Sequence, residues 1–266
     1  MQLRLRRQVF YALALGLAAG AGFDPPDQRN PRLALVLNIP ANRLDVYEDG
    51  QLTRSYRVSV GLPEYRTPAG SYFISRVVWN PWWVPPPGAK WARGQRKTPP
   101  GPGNPMGRVK LYFRELYYLH GTPNEAQLGE PASHGCVRLS NRDAIELARL
   151  VHRYASPDVT DAEINWLLRN TRHTRTIWLK RRVPLEVVYD VVEVRDGVLH
   201  IHPDVYRKSG KTVRERAIQA LMREGYDISL LDMDRLRKVV QRGQRRGVAV
   251  PVEMLIPTAA GADMGR

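Results

Sequence analysis

One cysteine, Cys136, stands in 266 residues. The chain therefore cannot close an internal disulfide. Long apolar runs are equally scarce: beyond the stretch VFYALALGLAAGAG at 9–22, no segment is apolar enough to read as membrane-spanning. No glycine pattern of the dinucleotide or phosphate-loop kind occurs, which argues against a nucleotide-binding strand–loop–helix unit. No internal repeat occurs, which argues against a solenoid. Negative charge is also in short supply. Asp and Glu total 26 against 41 Lys and Arg, a formal net charge of +15. Such an excess favours polyanionic partners. The basic residues are dispersed, however, with local clusters only at LKRRV and RKVVQRGQRR, so solvated faces account for most of them and charge alone names no ligand.

What is present begins with an export signal. Arg4, Arg6 and Arg7 precede the short apolar run, which ends in small residues suited to a signal peptidase, so residues 1–22 read as a signal peptide cleaved near Ala21 or Gly22. The alternative is an uncleaved membrane anchor. Either way the rest is expected outside the cytoplasm, in the periplasm. There an anionic envelope surface is a more natural partner than nucleic acid, and none of the latter is expected. A lone thiol in an oxidising compartment is exposed to oxidation, which raises the weight of a catalytic role against that of a small buried hydrophobe.

The stretches RLALVLNI and RLDVYEDG alternate apolar and polar residues as half-buried strands do, and EDGQ supplies a hairpin turn into LTRSYRVSVG. With SYFISRVVW this makes a β-meander over residues 32–79. From 80 to 107 proline and glycine dominate, and a loop of that length is more often functional than decorative. Trp82, Trp83 and Trp91 lie in it, available either to pin the loop down or to meet a ligand. KLYFRELYYLH returns to strand character and delivers His120 at a strand end. SNRDAIELARLVHRY reads as a helix, with Ser140 and Asp143 at its start, and Thr160 with Glu163 opens another. Strands resume at RTIWLK, PLEVVYDVVEV and GVLHIHP, the last two joined at RDG. Two helices follow, closed by Gly225 and Gly243.

Thiol catalysis needs a thiol that can ionise, an imidazole to take its proton, and donors for the oxyanion formed at an attacked carbonyl. HGT at 120–122 and SHGC at 133–136 can supply all three. His120 is the candidate base, with the Gly121 carbonyl to accept from its other ring nitrogen. Gly135 permits tight turning, and the amides of Gly135 and Cys136 are the candidate oxyanion donors. Arg138 alternates with Cys136 and can hold a substrate carboxylate. The structural alternatives are a satisfied histidine at a strand end, a His134 that only shapes its turn, and an Arg138 paired with Asp143. A zinc site from His120, His134 and Cys136 is weaker, since no second cysteine exists. If His120 activates Cys136, alkylation of the thiol should persist well below the ordinary thiol pKa of about 8.5.

The stretch LHGTPNEAQLGEPASHGCVRLSNRDAIELARLV resembles the L,D-transpeptidase catalytic domain, of YkuD type. The matching positions are His120, Gly121, Ser133, His134, Gly135, Cys136, Val137, Arg138 and Asn141. RTPAGSYFIS is similar to that family's Thr-Pro-x-Gly element, and NPWWVPPP to segments leading to its active site. The resemblance covers residues 32–206, including a terminal hairpin at 184–206. It implies a β-rich α+β fold, a β-sandwich or barrel-like catalytic domain with few helices. Residues 207–266 remain as a small helical C-terminal extension of unknown role. It further implies an acyltransferase that needs no cofactor or metal and acts on peptidoglycan stem tetrapeptides. Cys136 would form a thioester with release of the terminal D-alanine, and an amine of a neighbouring stem would resolve it into a 3→3 cross-link. His120 would be the base, and Ser133, His134, Gly135 and Gly121 would support the site. Arg138, Asn141, Trp82 and Trp83 would contact substrate, and a carbapenem would acylate Cys136. The same acyl-enzyme could pass to water, as in an L,D-carboxypeptidase, or to a protein lysine, attaching a lipoprotein to the wall. A non-catalytic wall-binding protein is the reading from a different class. The basic tail, with Lys211, Arg214, Arg216 and RKVVQRGQRR, could grip an anionic wall polymer.

Overall fold

A computed structural model describes residues 33–210 and 212–256. The expected leader and the small-residue end lie outside the described residues, as does Lys211. The first strands are β1 (Leu33–Asn38), β2 (Arg43–Glu48) and β3 (Gln51–Arg57). β2 and β3 are joined at Asp49 and Gly50, with φ of 51° and 77°. These left-handed values are what a two-residue turn matched to strand twist requires. β4 (Gly70–Trp79), β5 (Val109–Arg114), β6 (Tyr117–Thr122), β7 (Val137–Ser140) and β8 (Arg175–Val188) complete an eight-stranded sheet.

Its order is β3-β2-β1-β8-β4-β5-β6-β7. The expected meander through 79 is thus interrupted: β8 enters between β1 and β4, parallel to the first and antiparallel to the second. RTIWLK and the start of PLEVV, expected as two strands, are one 14-residue strand with a register shift opposite Ile74 to Arg76. KLYFRELYYLH is in turn a hairpin, β5 to β6, turning at Leu116 with φ of 63°. The chain beyond β3 then reaches the far edge. Ser59 exchanges both backbone hydrogen bonds with Arg138, at 2.9 Å each, and Gly61 bridges Ser133. The sheet is therefore a nearly closed barrel.

Helix α1 (Asn141–Ala155) follows β7 directly, and Ser140 caps it by accepting from the Asp143 amide at 3.0 Å. Its buried face, Ala144, Leu147, Ala148 and Val151, packs on β5 to β8, where Leu111, Leu119, Val137 and Leu139 are fully buried. Helix α2 (Asp161–Arg169) is capped in the same way by Thr160.

A second core lies beyond. β9 (Val192–Arg195) and β10 (Val198–Ile201) form the expected hairpin, but their sheet also takes in β11 (Val248–Pro251) from the C-terminal segment. Helices α3 (Val213–Arg223) and α4 (Met233–Arg246) cover it, and Leu199, Ile201, Ala217, Leu221, Leu236 and Val252 share one cluster. The hairpin and the tail thus make one module of a strand hairpin, two helices and a closing strand. α4 runs past Gly243 to Arg246, where Gly247 at φ 71° ends it. Position 243, inside the helix, is glycine because a Cβ there would lie 2.6 Å from Ile201 Cβ. Its role is close packing of helix on strand rather than helix termination.

Candidate active site

β6 and β7 run parallel, with Leu119 beside Val137, His120 beside Arg138 and Gly121 beside Leu139. Strand alternation sends Leu119, Val137 and Leu139 into the core under α1, and His120, Cys136 and Arg138 to the opposite face. Lys110 of β5 stands across from His120 in the same register row. Two distant pieces of sequence, HGT and SHGC, are therefore neighbouring strands of one sheet.

His120 is 2% exposed. Its Nδ1 lies 2.7 Å from the Gly121 carbonyl oxygen, which can only accept, so Nδ1 carries the proton and Nε2 holds a free lone pair. Burial, joined by the charges of Arg138 and Lys110, pushes the imidazole down to about 4. Cys136 is part-exposed, and its Sγ donates to the Leu116 carbonyl at 3.4 Å. Burial pushes the thiol up to about 11, against the opposing pull of the Tyr118 amide, Lys110 and Arg138. Thiol and imidazole both rest neutral, and the Sγ–H points to the Leu116 carbonyl. Desolvation of the thiol outweighs the nearby cations and so works against the expected alkylation well below the ordinary thiol pKa.

Gly135 adopts φ of 109°, and a Cβ would come within 2.8 Å of the Tyr117 ring. Ser133 Oγ accepts from the Gly135 amide at 3.0 Å and donates to the Cys136 carbonyl. The Gly135 N–H is therefore engaged within the turn, which leaves the Cys136 N–H as the stronger of the two candidate oxyanion donors.

A sequence profile of the YkuD family, the L,D-transpeptidase catalytic domain, matches residues 32–184, more than half of the chain. The chain belongs to the L,D-transpeptidase family. The L,D-transpeptidase homologue YkuD of Bacillus licheniformis is 31% identical over 141 residues, covering 51% of this chain and 72% of its own. That of Bacillus subtilis is 28% identical over 158 residues, covering 58% and 80%. Among solved structures, an L,D-transpeptidase from Mycobacterium smegmatis aligns over 59% of each chain at 18% identity, with a TM-score of 0.40. This chain thus spans less than two thirds of that solved structure.

The other expected residues of this L,D-transpeptidase domain divide. Arg138 stays on the Cys136 face and donates to Gln127 Oε1 at 3.0 Å. It pairs with no carboxylate among the described residues, and Asp143 instead serves the α1 cap. Its guanidinium is thus free to meet one from outside. Asn141 is engaged by backbone at both ends of its side chain: Oδ1 accepts from the Arg108 amide at 2.9 Å and Nδ2 donates to the Thr122 carbonyl at 3.2 Å, which braces Gly121. A Cβ on Gly121 would meet Asn141 Oδ1 at 2.3 Å, which is why glycine follows His120.

Trp82 and Trp83 stand on the proline-rich loop, Trp82 exposed. Neither makes a ring contact among the described residues, and Trp83 is tied to Thr98 through its backbone. The tryptophan that meets the site is Trp91, on a short 3-10 turn (Lys90–Ala92). It stacks on His134 at 3.9 Å and 15°, and Tyr65 lies against the same imidazole at 4.6 Å. His134 is thus a clamp that holds the proline-rich loop beside Cys136. Lys110, Gln127 and Tyr65 escaped the sequence reading. Strand alternation back from His120 in the hairpin partner was the one signal available for Lys110.

Proposed function

We propose that this protein is a cysteine L,D-transpeptidase that rebuilds peptidoglycan outside the cytoplasm, after export on its N-terminal signal. The observation that carries the reading is the His120–Gly121 hydrogen bond. It fixes the tautomer so that Nε2, on the face of the sheet that bears Cys136, is a base.

Because the resting pair is neutral, proton transfer accompanies attack. The Cys136 proton passes to His120 Nε2 as Sγ bonds to the carbonyl carbon of the third stem residue, a diamino acid. The oxyanion is met by the Cys136 N–H. On collapse the carbon–nitrogen bond breaks, His120 returns its proton to the departing D-alanine amine, and a thioester remains. An acceptor amine from a neighbouring stem then gives a proton to His120, attacks the thioester and expels the Cys136 sulfur, which recovers that proton. Arg138 supplies the cation for a substrate carboxylate. A second acceptor, water or a protein lysine, would use the same acyl-enzyme.

Muropeptide analysis of sacculi incubated with the enzyme tests this. New 3→3 cross-links with wild type, and none with Cys136→Ala, are the expected result. Tripeptide stems without new cross-links would assign water as the acceptor. Mass spectrometry with imipenem should show one covalent adduct, absent in Cys136→Ala, and an equal adduct in both would end the thiol mechanism. The exposed basic side of α4, with Lys238, Arg242, Arg245 and Arg246, is the surface proposed to meet an anionic wall polymer. Charge reversal at Lys238, Arg242 and Arg245 should weaken sacculus binding and flatten its salt dependence. Binding unchanged by that reversal would remove the surface from consideration.

A further inference from the structure

Tyr206 lies beyond the family-matched residues 32–184, between β10 and α3. Yet its ring belongs to the core of the barrel rather than to that of the C-terminal module, and it is 2% exposed. Its hydroxyl accepts from the Thr67 amide at 3.0 Å and reaches the Gly61 carbonyl at 2.8 Å. Thr67 Oγ1 accepts from the Gly61 amide at 2.9 Å and reaches the Gly135 carbonyl at 2.9 Å. All of these polar atoms are buried, and each hydroxyl carries one proton. Since a carbonyl can only accept, Tyr206 must donate to Gly61 and Thr67 must donate to Gly135. The ring of hydrogen bonds has one polarity and no alternative. Packing leaves it little slack: a Cβ on Gly61 would lie 2.0 Å from the Tyr65 carbonyl and 3.0 Å from Gly135 Cα.

The last acceptor in this chain is the carbonyl of the peptide that joins Gly135 to Cys136. In a trans peptide the C=O and the following N–H point in opposite directions within one rigid plane. Pinning the Gly135 carbonyl to Thr67 therefore fixes the direction of the Cys136 N–H, the donor assigned above to the oxyanion. Gly135, at positive φ, has the backbone freedom to let this plane turn if the pin is lost. Tyr206 is itself held by the segments that link the barrel to the C-terminal module. Its amide donates to Tyr189 Oη at 2.7 Å, and Tyr189 donates to Asp204 at 2.6 Å.

We propose that Tyr206 is a positioning residue for acylation: through Thr67 it aims the Cys136 amide, so that the C-terminal module contributes to transition-state stabilisation. This rests on the thiol acyltransfer reading above. It goes beyond it, because the residue comes from a segment outside the matched catalytic domain.

The test compares two reactions of the same sulfur on the full chain. Imipenem acylates through a carbonyl and builds an oxyanion. Iodoacetamide alkylates at a saturated carbon: the sulfur–carbon bond forms, iodide leaves, the thiol proton is lost, and no oxyanion arises. Tyr206→Phe keeps the ring and removes the hydroxyl. It should slow imipenem acylation about tenfold to hundredfold, less than outright loss of an oxyanion donor, and leave alkylation within about twofold. Thr67→Val, which cuts the link to Gly135 directly, should do the same, and Thr67→Ser should restore acylation. Wild-type acylation in Tyr206→Phe or Thr67→Val, or acylation and alkylation falling together, overturns the proposal. A wild-type enzyme that imipenem does not acylate instead overturns the acyltransfer reading, and is recognised before any variant is compared.

Discussion

At the scale of single residues, His120 and Cys136 define a pH dependence. With the imidazole near 4 and the thiol near 11, the base is free and the thiol protonated over the whole interval between. Acylation by imipenem should therefore lose rate only as pH falls through about 4 and hold a plateau above it. Simple alkylation should stay slow at neutral pH and climb toward 11. A stopped-flow pH series checks both limbs, and an alkylation rate already saturated at pH 7 would mean that the thiolate is preformed. His120→Gln should cost acylation on the order of a hundredfold or more, the usual worth of a general base. The hydrogen bond between His120 and the Gly121 carbonyl was legible in the sequence because it is a local matter, a ring nitrogen and its own neighbour's C=O, and the one thiol and this histidine were legible as candidates by residue type alone. The sign of the thiol shift was not. It is set by desolvation, which depends on what the rest of the chain stacks around the sulfur.

At the scale of elements, caps and turns followed the sequence closely. Ser140, Thr160, Asp49–Gly50 and Asp196–Gly197 all act where residue chemistry places them, since a cap or a tight turn needs only a few consecutive residues. Gly243 is the instructive exception. By helix propensity alone, Gly243→Ala should stabilise α4 by about 1 kcal/mol. The added Cβ would meet Ile201 Cβ at 2.6 Å, and neither atom is the end of a flexible side chain. Overpacking of that kind costs about 1–3 kcal/mol and decides the sign. Gly243→Ala should lower the thermal midpoint, whereas a raised midpoint would show that helix and hairpin can separate at no cost. Asn141→Ala carries a further expectation. It leaves the Arg108 amide and Thr122 carbonyl short of partners, at about 1–3 kcal/mol of stability. It should also reduce turnover through Gly121 and His120 while leaving KM nearly unchanged.

At the scale of the whole molecule, an ionic seam joins the barrel to the C-terminal module. Arg43 grips Glu193 with both terminal nitrogens, at 2.5 and 2.7 Å, and Asp45 through Nε. His202 also meets Glu193 at 2.8 Å, and Arg195 reaches Asp45 and Ser55. The Arg43 guanidinium and His202 hold the Glu193 carboxyl well below the usual carboxylate range despite its burial. Its contribution to stability is thus present at neutral pH and lost in acid. Two buried histidines act in the same direction. His120 and His152, the latter accepting from Trp79 Nε1 at 3.1 Å, are both depressed to about 4. The unfolded chain binds their protons first, so between about 6.5 and 4 each removes about 1.4 kcal/mol of stability per pH unit. Denaturant midpoints should accordingly fall steadily over that interval, and a flat profile would show that these imidazoles are solvated. Glu193→Gln should destabilise the junction by roughly 2 kcal/mol, between the worth of a surface pair and that of a fully buried one.

The sequence by itself determined the turns, the caps and the family, and singled out the candidate thiol and imidazole, because short-range chemistry and residue order carry them. Only the tertiary structure decided that β8 divides β1 from β4, that Trp91 rather than Trp82 or Trp83 meets His134, and that Tyr206 meets Thr67 and, through it, the turn before Cys136. Those facts rest on pairings between residues far apart in the chain. Which distant partners meet is fixed by the packing of a whole core, and no local pattern encodes it.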